Sequence, residues 1–173
     1  MHIIRGLVNL PATWSGCVVS VGNFDGVHLG HRAVLASMRE TSRRHKVPAV
    51  LISFEPHPVE YFRPEQAPPR IDSFRQKIHL LAAQGLDYVL LVRFNMHLAQ
   101  LTAEHFIQQI VLHKLKTKAV IVGDDFRFGK NRLGDYTMLA AAAKQYHFEV
   151  MATPSFTVSG ERVSSTIVRH LLA

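Results

Sequence analysis

The sequence predicts an α/β fold with a parallel sheet covered by helices on both faces. The first observation is that short apolar runs alternate with amphipathic helical segments along the chain, which is typical of βαβ units. The second is composition: 47% hydrophobic and 19% charged residues supply a packed core and argue against disorder. The length of 173 residues corresponds to one domain.

The apolar runs and the helical segments follow one another in a regular order. We expect strands at residues 17–21, 49–54, 88–94, 119–122 and 149–152, and an edge strand at 156–163. We expect helices at residues 30–45, 73–85, 102–115, 136–146 and 165–172. Val34, Leu35 and Met38 share one face of the first helix, and Ser73 is a candidate N-cap.

The segment between the second strand and the second helix has an unusual composition. Residues 55–72 contain five prolines and predict a long loop rather than a helix or strand. Loops of this length are uncommon as plain connectors, so we expect it to take part in function.

Composition and charge exclude several classes of protein. No apolar run approaches the roughly 20 residues of a membrane-spanning helix, no secretory leader is visible, and Cys17 is the single cysteine. We therefore expect a soluble cytoplasmic protein without a membrane partner, with Trp14 and Cys17 as packing residues.

The net charge of +7 suits nucleic acid or phosphorylated small molecules as partners. Because no recognition motif appears, and the basic run at 43–46 suits a helix C-terminus, we do not expect nucleic acid.

The first strand is followed by the sequence GNFDGVHLGH at residues 22–31. Its glycines allow the backbone to approach a ligand, and the following helix presents free N–H groups that suit phosphate. His28 and His31 are three residues apart, lie on one side of the helical turn and can donate to phosphate oxygens. A tight turn with two exposed histidines is the simpler alternative. A zinc site is weakly supported because no third ligand is near.

Three further segments carry polar or aromatic residues at strand or helix ends. The sequence VSSTIVR at 163–169 offers hydroxyls and Arg169 to a phosphate, although an N-cap followed by a surface arginine explains the same pattern. The sequence GDDFRFG at 123–129 offers acids and two phenylalanines, which either contact a planar ring or anchor the loop. The sequence FEPHP at 54–58 offers a rigid wall. No Walker or GxSxG motif appears, which favours phosphate positioning without a covalent intermediate.

Together these four segments resemble, in order and spacing, the N-terminal module of bacterial FAD synthetases, the bifunctional riboflavin kinase/FMN adenylyltransferases. The resemblance implies a Rossmann-like nucleotidyltransferase fold, with a parallel sheet flanked by helices. It also implies the reaction of ATP with FMN to give FAD and pyrophosphate, with Mg²⁺ and with ATP and FMN as substrates. The HxGH pattern at 28–31 is similar to the signature of the wider nucleotidyltransferase superfamily.

The resemblance also implies roles for individual residues. The residues that it assigns to ATP are Gly22, Phe24, Asp25, Gly26, His28, His31, Ser164, Ser165, Thr166 and Arg169. The residues that it assigns to the flavin side are Phe54, Pro56, His57, Pro58, Asp125, Phe126 and Phe128. The catalytic residues are expected to be His28, His31, Asp125 and Arg169. No side chain is assigned to the metal.

The chain departs from the family in length. We expect residues 1–173 to be the FMN adenylyltransferase domain without the riboflavin kinase domain, which would be covalently linked to it in a full-length protein. A stand-alone adenylyltransferase is the alternative. Two other functions stay open: a nucleotidyltransferase of the same type with another acceptor, and a flavin-binding module without catalysis.

Overall fold

A six-stranded parallel sheet forms the centre of the computed structural model, which describes residues 1–173. Its strands are β1 (His2–Arg5), β2 (Cys17–Val21), β3 (Ala49–Glu55), β4 (Tyr88–Arg93), β5 (Thr117–Gly123) and β6 (Glu149–Thr153). Their order is β1-β4-β3-β2-β5-β6. The order reverses at β2, which pairs with β3 on one side and with β5 on the other. In such sheets ligands bind beyond the carboxyl ends of the strands at this switch point.

Helices cover both faces of the sheet, as the sequence predicts. They are α1 (Leu29–His45), α2 (Pro58–Phe62), α3 (Phe74–Ala83), α4 (Met96–Ala99), α5 (Ala103–His105), α6 (Tyr136–Tyr146) and α7 (Ser165–Leu172). Helix α5 continues directly into a π-helical segment, Phe106–Lys114. The prediction that Ser73 is an N-cap is confirmed: its hydroxyl accepts from the Gln76 N–H, and the Gln76 side chain accepts from the Ser73 N–H. No helix combines the length and the apolar character needed to cross a bilayer.

The alternation of side chains along each strand divides the core into two layers. In β2, Cys17, Val19 and Val21 face the layer of α5 and α6, whereas Val18 faces α1 and α3. Both layers are apolar because a parallel sheet with helices on each face exposes neither surface to water. Cys17 is completely buried in this core, which confirms its prediction as a packing residue.

Strand β1 and residues 156–163 differ from the sequence predictions. Strand β1 was not predicted, because it is a short edge strand with one buried residue, Ile4, and therefore lacks an apolar run. The edge strand predicted at residues 156–163 is wrong. This segment forms a separate antiparallel hairpin, β7 (Thr157–Val158) and β8 (Glu161–Arg162). Ser159 and Gly160 both adopt positive φ, the geometry of a tight hairpin turn that folds the segment back on itself.

The proline-rich segment contains more local structure than a loop. It holds α2 and a 3₁₀ turn, Pro64–Gln66. Arg70 lies near the end of this segment, and Glu55 and Glu60 lie near its beginning. The Arg70 guanidinium donates to both carboxylates. These ion pairs close the base of the segment and hold its two ends together.

The core packing leads to a stability prediction for Leu35, which is 0% exposed on α1. Leu35→Ala removes buried methyl groups and leaves a cavity, so the free energy of unfolding should fall by about 2–5 kcal/mol. Leu133→Ala is the control, since Leu133 is 71% exposed, and should change it by less than about 0.5 kcal/mol. Urea unfolding followed by circular dichroism measures both, and equal effects would contradict the assignment of the core.

Candidate functional site

Three aromatic rings stack at the start of α1, beyond the carboxyl end of β2. The rings of His28 and His31 lie 3.5 Å apart between centroids, with 19° between their planes. The ring of Phe24 lies on the other side of His31 at 4.4 Å and 24°. The two histidines are therefore partly buried members of a packed stack, which excludes the simple alternative of two freely exposed side chains.

The backbone around this stack depends on its glycines. At Gly30 a Cβ atom would lie 3.2 Å from the His28 ring, so a side chain there would press on the ring. At Gly26, φ is +82° and a Cβ atom would lie 2.9 Å from the side chain of Ile71. Glycine therefore allows the first loop both its turn and its close approach to the proline-rich segment.

His28 is the N-cap of α1, and this role determines its tautomer. Its Nδ1 accepts a hydrogen bond from the His31 N–H at 3.3 Å. The neutral ring therefore carries its proton on Nε2, where it can donate to an anion. Burial, together with the charge of Arg162, lowers the pKa of His28.

His31 is more deeply enclosed than His28. Burial, followed by the proximity of His28, lowers the pKa of His31 to about 3, so its ring is neutral at pH 7. Its Nδ1 is buried and makes no hydrogen bond. Because an unpaired buried polar atom costs stability, this nitrogen is a group that a ligand would pair favourably.

Asp25 connects the first loop with two distant segments. Its carboxylate accepts from the N–H groups of Ile71 and Asp72, and from Arg169 Nη2 at 2.6 Å. Its backbone carbonyl accepts from Ser165 Oγ at 2.8 Å. Burial by itself raises the pKa of Asp25, but the hydrogen bonds from Ile71 and Arg169 outweigh it and hold that pKa below its usual value.

Arg169 is engaged within the chain and is not a free surface arginine. Besides the bond to Asp25, its Nε donates to the carbonyl oxygen of Pro69 at 2.8 Å. It thus fastens α7 to both the first loop and the proline-rich segment. Its Nη1 makes no hydrogen bond and is the part of the guanidinium left for a ligand.

The hydroxyl residues of the last motif have different environments. Ser164 caps α7, because its Oγ accepts from the Ile167 N–H. Thr166 is exposed and makes no side-chain hydrogen bond. The bond from Ser165 to Asp25 brings the N-terminus of α7 beside the loop that leads into α1. Two positive helix ends therefore face the same space, which favours an anion with several charges.

The carboxyl end of β5 contributes an acidic pair with a basic partner. Arg162 Nη2 lies 2.6 Å from Asp125 Oδ2, while Asp124 accepts from the N–H and hydroxyl of Ser155. The charge of Arg162 also reaches His28, as the lowered pKa there shows. Sequence reasoning missed Arg162; a basic residue immediately before the VSSTIVR motif was visible, but its spacing did not link it with Asp125.

The two phenylalanines of the β5 loop have unequal exposure. Phe128 is 6% exposed and packs against Phe106 at 5.6 Å between centroids. Phe126 is half-buried and stacks on Phe128 at 5.4 Å. Phe128 is thus a core anchor in this structure, the simpler of the two alternatives, and contact with a ligand would fall to Phe126.

An aromatic cluster lies beside the end of β3 and the proline-rich segment. Phe94 makes edge-to-face contacts with Phe54, Tyr61 and Phe62 at 5.5–5.9 Å between centroids. Phe62 is 56% exposed. Sequence reasoning identified Phe54 but not the other three, which lie in different elements and meet only in the folded chain.

The FEPHP motif shapes the entrance to a narrow polar cleft. The His57 side chain caps α2 by accepting from the Val59 N–H, Pro58 is the first residue of that helix and Pro56 precedes the cap. Burial lowers the pKa of His57. The cleft is also lined by Asn23, Asp25 and the buried Lys77. Sequence reasoning identified Asp25 but missed Lys77. No group of three or more His, Cys, Asp or Glu side chains forms a metal site in the chain.

Comparison with known proteins identifies close relatives. The family model for FAD synthetase matches residues 10–167. Bifunctional riboflavin kinase/FMN adenylyltransferase from Escherichia coli K12 is 46% identical over 174 aligned positions, and the alignment spans 100% of this chain and 56% of that protein. The proteins of the same name from Haemophilus influenzae and Pseudomonas fluorescens are 40% and 43% identical, also over 100% of this chain and 56% and 55% of theirs. The chain thus spans about half the length of the curated relatives that it matches.

Solved structures show the same fold. One, described as a macrolide-efflux protein from Streptococcus pneumoniae, has a TM-score of 0.83 at 25% identity and covers 97% of this chain and 55% of its own. Pantoate-beta-alanine ligase from Francisella tularensis has a TM-score of 0.59 at 14% identity, covers 97% of this chain and 72% of its own, and bears on the fold alone. The prediction of a Rossmann-like nucleotidyltransferase fold is confirmed.

The enclosed position of His31 leads to a prediction about its titration. We expect the Hε1 signal of His31 in NMR spectra to stay constant from pH 8 to about pH 5, because its pKa is lowered to about 3. A free imidazole titrates near pH 6.5. His31→Gln identifies the signal by its loss. A His31 signal that titrates near pH 6.5 would contradict the packing of the three-ring stack.

The same shift has a consequence for stability. In the unfolded chain His31 binds a proton below about pH 6.5, whereas the folded chain binds it only near pH 3. The contribution of neutral His31 to the free energy of unfolding is therefore complete above about pH 6.5. It is lost progressively as the pH falls toward 3. His31→Gln should flatten the fall in the free energy of unfolding between pH 6.5 and 4.5, as urea unfolding at each pH measures. An equally steep fall in the variant would contradict this assignment.

Proposed function

Because the chain belongs to the FAD synthetase family, we propose that it transfers the adenylyl group of ATP to FMN, giving FAD and pyrophosphate. The observation that carries this proposal is the meeting of two helix N-termini with the His28–His31 stack at the switch point of the sheet. Such a space suits a polyphosphate, because free N–H groups and neutral imidazole donors surround it.

On the ATP side, each residue acts through an available polar group. His28 donates from Nε2, and His31 offers the buried Nδ1 that has no partner. Arg169 contacts a phosphate with Nη1 while its other nitrogens keep Asp25 and Pro69 in place. The loop residues that lie under the nucleotide are Gly22, Phe24, Asp25 and Gly26. The residues that surround the phosphates from α7 are Ser164, Ser165 and Thr166.

The reaction is a direct displacement at the α-phosphorus of ATP. A phosphate oxygen of FMN forms the new bond to phosphorus as the bond to the pyrophosphate oxygen breaks, and the electron pair leaves with pyrophosphate. The side chains form no covalent bond to the transferred group. Their contribution is orientation of the two substrates and stabilisation of the charge that develops on the leaving group.

The flavin side lies at the ends of β3, β4 and β5. Phe54 and the exposed part of the aromatic cluster around Phe94 supply apolar surface for a planar ring, and Phe126 on the loop after β5 supplies a further aromatic ring. Pro56, His57 and Pro58 form the wall, and Phe128 supports Phe126 from the core. Asp125 is held by Arg162. In this proposal it lies beside the FMN phosphate and the α-phosphate of ATP.

Mg²⁺ fits this site as an ion carried by the substrates. No cluster of three protein ligands exists, and Mg²⁺ in nucleotide sites commonly uses one or two carboxylates with substrate phosphates. The exposed carboxylate of Asp125 is the side chain that would contact it. When bound, the ion neutralises phosphate charge. A riboflavin kinase unit linked to this module, as in the name of the relatives, belongs to the same proposal for the whole protein.

Formation of FAD from FMN, ATP and Mg²⁺ is the direct test, followed by chromatography of the products. His31→Ala should lower the rate about 10²–10³-fold, because it removes one side chain that is positioned to stabilise the charge developing on the leaving group. His113→Ala is the control, since His113 is exposed on a distant helix, and should leave the rate unchanged. No FAD from the folded wild-type chain, or wild-type turnover in His31→Ala, would contradict the proposal.

Arg169→Lys tests the second phosphate contact. Lysine keeps the positive charge, but its three donors share one nitrogen and cannot match the planar spread of the guanidinium, which bonds Asp25 and Pro69 and leaves Nη1 for a phosphate. The apparent KM for ATP should therefore rise about tenfold or more, as initial rates at varied ATP measure. Arg43→Lys, at the exposed end of α1, is the matched control. An unchanged KM for ATP in Arg169→Lys would contradict the assignment of Arg169 to the ATP site.

A further inference from the structure

A buried lysine joins the loop after β2 with the end of the neighbouring strand β3. Lys77 on α3 is 7% exposed, although lysine side chains are rarely buried. Its Nζ donates to the carbonyl oxygen of Asn23 and to Ser53 Oγ, both at 3.1 Å. Neither the four motifs nor the mechanism above assigns it a role.

The two partners of Lys77 lie directly before the residues that form the two sides of the site. Asn23 precedes Phe24, whose ring packs under His31. Ser53 is completely buried on β3 and precedes Phe54, whose ring contacts Phe94. One ammonium group thus connects the loop of the histidine stack with the strand end that leads to the aromatic cluster.

The charges around Lys77 explain why an ammonium is tolerated there. Burial lowers the pKa of Lys77, and the carboxylates of Glu55, Asp25 and Asp72 act in the opposite direction. The two groups that accept from Lys77, the Asn23 carbonyl and the Ser53 hydroxyl, are both uncharged. Lys77 therefore supplies donors to two groups that no other side chain reaches.

We propose that Lys77 is a positioning residue for the adenylyl transfer: by holding the Asn23 carbonyl against β3, it keeps Phe24 beneath His31 and the histidine stack in register with the flavin side. The inference rests on the proposed function for the reaction that it names. Lys77 does not touch the reacting atoms, and its effect passes through Asn23 and Phe24 to His31. The register matters because a displacement of about 1 Å in a catalytic group can lower a rate about 100-fold.

Lys77→Met and Ser53→Ala form a matched pair of variants. Methionine fills the same volume but cannot donate to Asn23, whereas Ser53→Ala removes the β3 contact and leaves the Asn23 contact intact. In Lys77→Met we expect kcat to fall about 10–100-fold. In Ser53→Ala we expect a smaller fall in kcat, because Lys77 loses its β3 contact but keeps its contact with the Asn23 carbonyl. Lys77→Arg, which retains charge and several donors, should recover part of the loss.

The position of His31 provides a readout that does not depend on catalysis. In the free protein its Hε1 signal is shifted by the rings of Phe24 and His28 on either side. In Lys77→Met this signal should move toward that of a free imidazole, and in Ser53→Ala it should move in the same direction by a smaller amount. If Lys77→Met does not fold, Lys77→Gln is measured instead, because its shorter amide cannot reach both partners, and the same results are expected.

An unchanged kcat in the folded variant would overturn the proposal. So would a lower kcat with an unmoved His31 signal, because Lys77 would then act by a route other than the ring stack. Failure of the proposed function has a different result: the wild-type chain would form no FAD. In that case the His31 signal of the free variants still decides whether Lys77 positions the stack.

Discussion

The candidate site depends on the interactions of a single carboxylate, that of Asp25. Two backbone N–H groups of the proline-rich segment and the guanidinium of Arg169 converge on it, and its own carbonyl accepts from Ser165. Three segments that are far apart in the chain therefore meet at one residue. These bonds hold the carboxylate ionised in spite of its burial, which makes the contact with Arg169 charge-assisted and strong.

This junction determines the electrostatics of the neighbouring space. With α7 held against the first loop, two helix N-termini lie close together, and the nearby imidazoles of His28 and His31 are neutral. A neutral ring can donate a hydrogen bond without adding repulsion between positive groups before a ligand arrives. The positive potential comes instead from the free backbone N–H groups of the helix ends and from Arg162 and Arg169. Both arginines are held by carboxylates within the chain.

The parallel sheet explains why the two substrates proposed here would lie side by side. Strands β2, β3 and β5 run parallel and end at the same edge of the sheet, so the histidine stack, the aromatic cluster and Asp125 lie at that edge. Chain segments beyond the strand ends need separate support, because no ladder of hydrogen bonds extends to them. Lys77 supports the β2 loop against β3, Arg70 closes the proline-rich segment, and Arg162 holds Asp125.

The sequence by itself determined the α/β class, five of the six strands of the parallel sheet (β2 to β6), the family and the motifs that meet at the site, because these depend on local periodicity and on residues close together in the chain. It could not predict β1, which has one buried residue, or the hairpin of β7 and β8, whose turn depends on backbone conformation. The ring stack of Phe24, His31 and His28, the engagement of Arg169 by Asp25 and Pro69, and the roles of Lys77 and Arg162 were decided by the tertiary structure alone. Apart from the ring stack, whose residues are close in the chain, each of them depends on contacts between residues that become neighbours only when the strands are ordered and the helices are packed on the sheet.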